Sequence, residues 1–257
     1  MRGKDRTYMD SPFDIDIIGT GSSGNAVLID NTILIDIGLP WSDVGNAAMS
    51  ASRIFVTHRH ADHLGMSAVR GLLKHRPAMV KHGLYVNRES FDHIAKRAPG
   101  VASMIPESHI IRDNTVVEHS WRGSRYRIEA YPLVHNVENH GFVITNLDTG
   151  KLLIHATDTM SMHSAPPGIY DVLLIEGNYD EDVIDDTIDL GTDAEAWRAM
   201  QNFRHFSVQE MERYVRLHSH SESIVVQLHE SSDFGSKSVM GVDFTIEDLK
   251  RNIGGGM

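Results

Sequence analysis

Four potential metal ligands lie within six residues in Thr57-His58-Arg59-His60-Ala61-Asp62-His63. The mainly apolar residues 53–57 predict a short strand that runs directly into this cluster. His58 and His60 are two residues apart and are expected to face one point. Asp62 and His63 are expected to begin the next helix and to face a neighbouring point. The pattern therefore indicates two adjacent metal ions, and a loop of surface histidines is the simpler alternative.

Three later residues supply ligands of the same kind. His135, Asp158 and His229 each follow a predicted strand, where loops commonly build functional sites. Two metal ions need roughly eight to ten coordination positions when water is included. Each of the three alone would more often be a surface residue, but three in succession at strand ends favour a metal site.

Composition limits the classes of protein to which this chain can belong. Its 257 residues, 41% of them hydrophobic, suffice for one domain with its own core. We expect a single domain over residues 1–257, with its core at about 13–234 and an acidic insertion at about 180–195, interpreted as an exposed loop with helical pieces. The chain has no cysteine, which excludes disulfides and thiolate ligands, so any metal is held by nitrogen and oxygen.

The formal net charge of -11 disfavours a protein that coats nucleic acid, because an acidic chain repels polyanions. It does not exclude a nuclease, since bound metal ions provide positive charge where a phosphate must lie. No apolar run approaches the roughly 20 residues that span a bilayer. Residues 1–11 lack the apolar stretch of a signal peptide. We therefore expect a cytoplasmic protein without a membrane partner.

Hydrophobic periodicity predicts an alternation of strands and helices in two halves, which suggests two sheets packed between helices. The predicted strands cover residues 13–18, 26–29, 32–37, 53–57, 78–82, 109–112, 115–121, 126–133, 142–147, 151–157, 171–175 and 224–228. The predicted helices cover residues 64–76, 87–97, 207–218 and 248–253. Ser207 and Glu210 form a capping-box pattern at the start of the third helix.

The Thr-His-x-His-x-Asp-His run, with the later His, Asp and His, resembles the metallo-β-lactamase superfamily, whose fold is an αββα four-layer sandwich. Leu34-Ile35-Asp36-Ile37-Gly38 is similar to the first motif of that superfamily. The likeness extends from about Phe13 to about Phe234.

The resemblance implies a role for each ligand. It assigns His58, His60 and His135 to a first divalent metal ion, and Asp62, His63 and His229 to a second. It implies that Asp158 bridges the two metals and that Asp36 supports the histidine loop from behind. Histidine, aspartate and water suit both Zn²⁺ and Mn²⁺, so the identity of the metal stays open.

Three segments resemble a phosphodiesterase branch of the superfamily, the YycJ/WalJ-like and tRNase Z-like proteins. The segments are 19–25 (Gly-Thr-Gly-Ser-Ser-Gly-Asn), 173–180 (Leu-Leu-Ile-Glu-Gly-Asn-Tyr-Asp) and 204–207 (Arg-His-Phe-Ser). The resemblance implies that Glu176 and His205 form a hydrogen-bonded pair beside the metals and that His205 assists leaving-group departure. Arg204 stands where the family usually has glycine, which departs from the pattern.

We therefore expect a metal-dependent hydrolase, either a phosphodiesterase or a nuclease. Asp62, Glu176 and His205 are assigned to catalysis, with His205 as proton donor and a metal-activated hydroxide as nucleophile. The expected substrate is a nucleic acid end, a single strand or a small nucleotide, and a homodimer is compatible with the sequence. Two alternatives stay open: hydrolysis of a thioester, lactone or other carbonyl compound on the same metals, and a metal-binding module without catalysis.

Overall fold

The computed structural model describes residues 6–8, 11–231 and 243–245. Its strands form two sheets, in each of which the spatial order follows the chain order. The first sheet contains β1 (Arg6–Tyr8), β2 (Ile15–Gly19), β3 (Ala26–Ile29), β4 (Ile33–Ile35), β5 (Arg53–Phe55), β6 (Leu84–Asn87) and β7 (Ile110–Ile111). The second contains β8 (Val116–Trp121), β9 (Ser124–Leu133), β10 (Asn139–Asn146), β11 (Leu152–Ala156), β12 (Tyr170–Glu176), β13 (Ser219–Leu228) and β14 (Asp243–Thr245).

Helices connect the strands and cover the outer faces of both sheets. They are α1 (Trp41–Ser50), α2 (Met66–His75), α3 (Pro77–His82), α4 (Arg88–Arg97), α5 (Pro99–Ala102), α6 (Glu181–Leu190), α7 (Asp193–Gln201) and α8 (Val208–His218). Strands β4 to β7 are mutually parallel, as are β11 to β13, so their carboxyl ends lie at common sheet edges.

The buried apolar residues form layers that match the predicted αββα sandwich. Between the sheets, Phe55 packs at 5.4 Å from Phe142, measured between ring centroids. On the outer face of the first sheet, Leu72 of α2 belongs to a core cluster with Ile54. On the outer face of the second sheet, Met211 of α8 belongs to a third cluster. The prediction of a four-layer sandwich is confirmed.

Strand β12 lies between β11 and β13 in the parallel part of the second sheet. All seven residues Tyr170–Glu176 are buried, as expected for a parallel strand covered on both faces. The run of apolar side chains ends at Glu176, whose carboxylate is buried at the carboxyl end of the strand. A buried carboxylate needs partners, which points to this edge of the sheet as the functional one.

One local prediction was wrong, one helix was missed, and one segment is more helical than predicted. Residues 78–82 form helix α3 instead of a strand, because Pro77 occupies the first helical turn and the strand begins only after Gly83. Helix α1 was not predicted at all. The acidic segment 180–195, predicted as an exposed loop with helical pieces, is mostly helical, in α6 and the first turn of α7.

The segment 57–63, which carries four of the expected metal ligands, also differs in detail from the prediction. Asp62 and His63 lie in a turn, and helix α2 begins three residues later at Met66. The predicted capping box of α8 is confirmed, with Ser207 Oγ accepting from Glu210 N at 3.0 Å. The predicted helix 248–253 lies outside the described residues. Among the helices of the described ranges, none combines the length and apolar character needed to cross a bilayer.

Candidate metal centre

The seven expected metal ligands lie together at one edge of the sandwich. His58 follows β5, His135 follows β9, Asp158 follows β11 and His229 follows β13. The ligand atoms fall into overlapping groups in which they lie within 4.8 Å of one another. These groups are His58, His60 and His135; His58, His63 and Asp158; Asp62, His63 and His229; and Asp158, Glu176, His205 and His229.

The first group consists of three imidazoles. His58 Nε2 lies 3.0 Å from His60 Nδ1, which in turn lies 3.3 Å from His135 Nε2. Burial lowers the pKa of all three: well below the usual value for His58, below it for His60 and to about 4 for His135. The three rings are therefore neutral near pH 7, which is the state in which histidine binds a metal.

The other expected ligands, Asp62, His63, Asp158 and His229, combine imidazoles with carboxylates. His63 Nε2 lies 2.8 Å from Asp158 Oδ2 and 3.6 Å from Asp62 Oδ2. His229 Nε2 lies 3.6 Å from oxygens of both Asp62 and Asp158. In the described part of the chain, the buried His229 Nε2 has no hydrogen-bond partner. A divalent cation fits this donor set, because it would satisfy that nitrogen and the converging carboxylates.

Asp36 supports the cluster from behind. Its Oδ2 accepts a hydrogen bond from His63 Nδ1 at 2.7 Å, and its Oδ1 accepts from Thr57 N at 2.8 Å. Burial lowers the pKa of His63, but the carboxylates of Asp158 and Asp36 outweigh it, so that this pKa lies well above its usual value. A cation bound at Nε2 would displace the proton that the Asp158 carboxylate stabilises there. Because Nδ1 donates to Asp36, Nε2 is the nitrogen that faces the cluster.

The glycine- and serine-rich loop 19–25 contacts two of the ligand turns, which sequence reasoning had not found. Asn25 Nδ2 donates to Asp62 O at 3.1 Å, and Asn25 Oδ1 accepts from Gly21 N at 2.8 Å. Thr20 Oγ1 accepts from His229 N at 2.8 Å. The only signal in the sequence was the position of Asn25 at the end of segment 19–25, which resembles the phosphodiesterase branch.

Glu176 and His205 form an overlapping group with Asp158 and His229. His205 Nδ1 is 2.7 Å from Glu176 Oε1, and Glu176 Oε2 accepts from Thr159 N at 2.8 Å. Burial lowers the pKa of His205, but its hydrogen bond to Glu176 outweighs this effect and the pKa lies above the usual value. Arg204, which departs from the family pattern, is exposed in a short 3-10 turn and leaves this contact intact.

The chain is similar to known proteins in sequence family and in fold. Residues 37–222 match the family described as "Beta-lactamase superfamily domain". No curated protein matches the chain in sequence. Among solved structures, the metallo-beta-lactamase fold protein YhfI from Bacillus subtilis is 16% identical, with a TM-score of 0.59, over 94% of this chain and 91% of that one.

Two further structures have a similar fold. Human tRNase Z, short form, is 17% identical, with a TM-score of 0.55, over 85% of this chain and 92% of that one. Unliganded yeast PDE1 is 11% identical, with a TM-score of 0.57, over 94% of this chain and 93% of that one. At these identities the likeness concerns the fold alone.

Proposed function

Because this chain belongs to the beta-lactamase superfamily, whose members are metal-dependent hydrolases, we propose that it hydrolyses phosphodiester bonds at a centre of two divalent metal ions. The observation that carries the choice of substrate is the hydrogen-bonded pair of Glu176 and His205 beside the ligand cluster. Hydrolysis of a carbonyl compound at two metals has no need of such a pair. The names of two structural neighbours, a tRNase and a PDE, support the same choice.

The ligand groups suggest how the metals would be held. His58, His60 and His135 would bind one ion, Asp62, His63 and His229 the other, and Asp158 would lie between them. When bound, the two ions would lower the pKa of a water molecule and neutralise charge on the phosphoryl oxygens. Zn²⁺ and Mn²⁺ both suit these ligands.

The protein groups supply the proton transfer. The Glu176 carboxylate holds the Nδ1 proton of His205, so that Nε2 is the nitrogen free to act on substrate. As the bond between phosphorus and the leaving oxygen breaks, that oxygen takes the Nε2 proton and leaves as an alcohol. The new phosphorus–oxygen bond comes from water, so the products are a phosphomonoester and an alcohol.

The test compares substrate classes with one preparation of the chain, reconstituted separately with Zn²⁺ and Mn²⁺. We expect turnover of bis-p-nitrophenyl phosphate and little or none of a thioester or a lactone. Turnover of the carbonyl compounds alone would contradict the proposal and favour the alternative hydrolase.

Metal analysis of a ligand variant completes the test. His60→Ala is expected to lower the bound metal after dialysis, and with it the turnover, because His60 contributes to the first ligand group. The matched control is His82→Ala, since His82 is exposed at the end of α3. A chain that binds two metals but turns over none of the substrates would instead indicate a binding module.

A further inference from the structure

Two of the proposed metal ligands have an unusual backbone conformation. Asp158 has a φ angle of 55° and His229 a φ angle of 54°, which places both in the left-handed region. Residues other than glycine rarely adopt this conformation, because the β-carbon crowds the neighbouring carbonyl. Such strain persists only where the surrounding structure holds it in place. Something must therefore hold these two residues.

Asn139 brackets Asp158 with two hydrogen bonds. It is the first residue of β10, which pairs with β11, and its side chain is buried. Its Nδ2 donates to Thr157 O at 2.9 Å and to Asp158 O at 2.8 Å. These carbonyls belong to the peptide groups before and after the Asp158 α-carbon. The two bonds therefore fix both torsions that define the left-handed conformation.

Asn178 has the corresponding position beside His229. This buried residue donates from Nδ2 to His229 O at 2.7 Å. Its own carbonyl accepts from Ser231 N at 2.7 Å, and its own N–H donates to Phe206 O at 2.8 Å. The peptide before His229 is held separately, by the bond from its N–H to Thr20. The backbone of His229 is thus fixed on both sides as well.

The donors of these amides, not their acceptors, make the contacts. Within the described ranges, neither Asn139 Oδ1 nor Asn178 Oδ1 has a hydrogen-bond partner. An aspartate would preserve the size of either side chain but would remove the donors and place negative charge against carbonyl oxygens. This makes aspartate an informative replacement.

We propose that Asn139 and Asn178 are positioning residues that hold Asp158 and His229 in the left-handed conformation from which their side chains reach the metal cluster. The inference rests on the proposed metal centre and assigns no contact with substrate to either asparagine. Without the amide donors, the backbone of each ligand would relax toward ordinary torsions and would turn its side chain away from the cations.

The experiment titrates the metal-free chain with Co²⁺, whose visible absorption reports ligand geometry. We expect Asn139→Ala and Asn178→Ala to weaken Co²⁺ binding by about 10- to 100-fold, as is common for groups that orient metal ligands. The absorption bands of the cobalt that does bind should also change. The matched control is Asn146→Ala, because Asn146 is buried at the other end of β10 and, within the described residues, its side chain accepts only from Asp148 N and Thr149 N.

Asn139→Asp separates positioning from simple electrostatics. Its added negative charge would strengthen cation binding if residue 139 affected the metals through electrostatics alone. The loss of the amide donors instead predicts weaker binding. A folded Asn139→Asp chain that binds Co²⁺ as tightly as wild type, with the same absorption bands, would overturn the inference and leave the proposed function intact. A folded wild-type chain that binds no Co²⁺ would overturn both.

Discussion

Glu176 Oε1 lies 2.7 Å from His205 Nδ1, although the two residues are 29 positions apart in the chain. Glu176 is fully buried at the end of β12, whereas the side chain of His205 keeps 20% of its surface exposed. A buried carboxylate that orients a partly exposed imidazole is an arrangement suited to proton transfer at a surface where substrate binds.

We predict that His205→Ala lowers kcat by about 10²- to 10⁴-fold on a phosphodiester with an alkyl leaving group, while the metal content stays unchanged. The loss should be smaller on bis-p-nitrophenyl phosphate, because p-nitrophenolate leaves readily without a proton. Steady-state kinetics on both substrates measure the difference, with His82→Ala as control. Equal losses on the two substrates would argue against proton donation by His205.

Asp36 gives a second prediction, on metal affinity. Asp36→Asn keeps the shape of the side chain but replaces the anionic acceptor of His63 Nδ1 with an amide. We expect metal affinity to fall about 10- to 100-fold, because the carboxylate orients the ring and raises its basicity. Competition with a chromogenic chelator measures the affinity. Asp43→Asn, exposed in the first turn of α1, should leave it unchanged.

Much of the candidate ligand set could be predicted from the sequence, because hydrophobic runs mark strands and the loops that follow strands commonly build functional sites. His135, Asp158 and His229 were expected after strands, and the structure places each directly after or close to a strand end. Their roles as metal ligands stay predictions, as do the homodimer and the cellular location. The αββα architecture followed from the family resemblance more than from periodicity.

Other features gave no usable signal. Residues 78–82 are a short, partly apolar run, and such runs fit a strand and a helix equally well, so that only the position of Pro77 favoured α3. The left-handed conformation of Asp158 was equally hidden, because aspartate is enriched in that region but adopts it at only a minority of its positions. The contacts of Asn139 join segments 18 and 19 positions apart, which no local pattern reveals.

His119 gives a prediction about stability and pH. This buried residue of β8 lies 2.6 Å from Ser52 Oγ, and burial, with a smaller contribution from Arg53, lowers its pKa from 6.5 to about 4. The unfolded chain therefore takes up the proton first as pH falls. The stability that neutral His119 contributes is complete above about pH 6.5 and is lost progressively toward pH 4.

We expect metal-free wild type to be more stable than His119→Gln at pH 7.5, with the gap narrowing between pH 6.5 and 4.5. Urea midpoints at several pH values measure it, and the difference between the two chains cancels groups that titrate in both. His82→Gln, at an exposed position of α3, is the control for the replacement of a histidine. A gap between wild type and His119→Gln that did not change with pH would contradict burial of neutral His119.

The last prediction concerns Gly38, which ends the motif that carries Asp36. A β-carbon at Gly38 would overlap with the carbonyl of Asp62 and crowd His63 N, so the obstacle is the backbone of the ligand turn itself. Gly38 N also donates to Asn25 O at 3.0 Å, which leaves this segment little room to move away. Gly38→Ala must therefore displace Asp62 and His63, two of the proposed ligands of the second metal.

We expect Gly38→Ala to lose about 1–3 kcal/mol of unfolding free energy, as overpacked sites do, and to retain less than its full complement of metal. Urea unfolding and metal analysis after dialysis test the two effects. Gly100→Ala is the control, because among the residues that the structure describes no neighbouring atom lies within 4 Å of its added β-carbon. Full metal occupancy in a destabilised Gly38→Ala chain would show that the turn tolerates displacement, and that Asp62 and His63 are not held to the geometry proposed for the second ion.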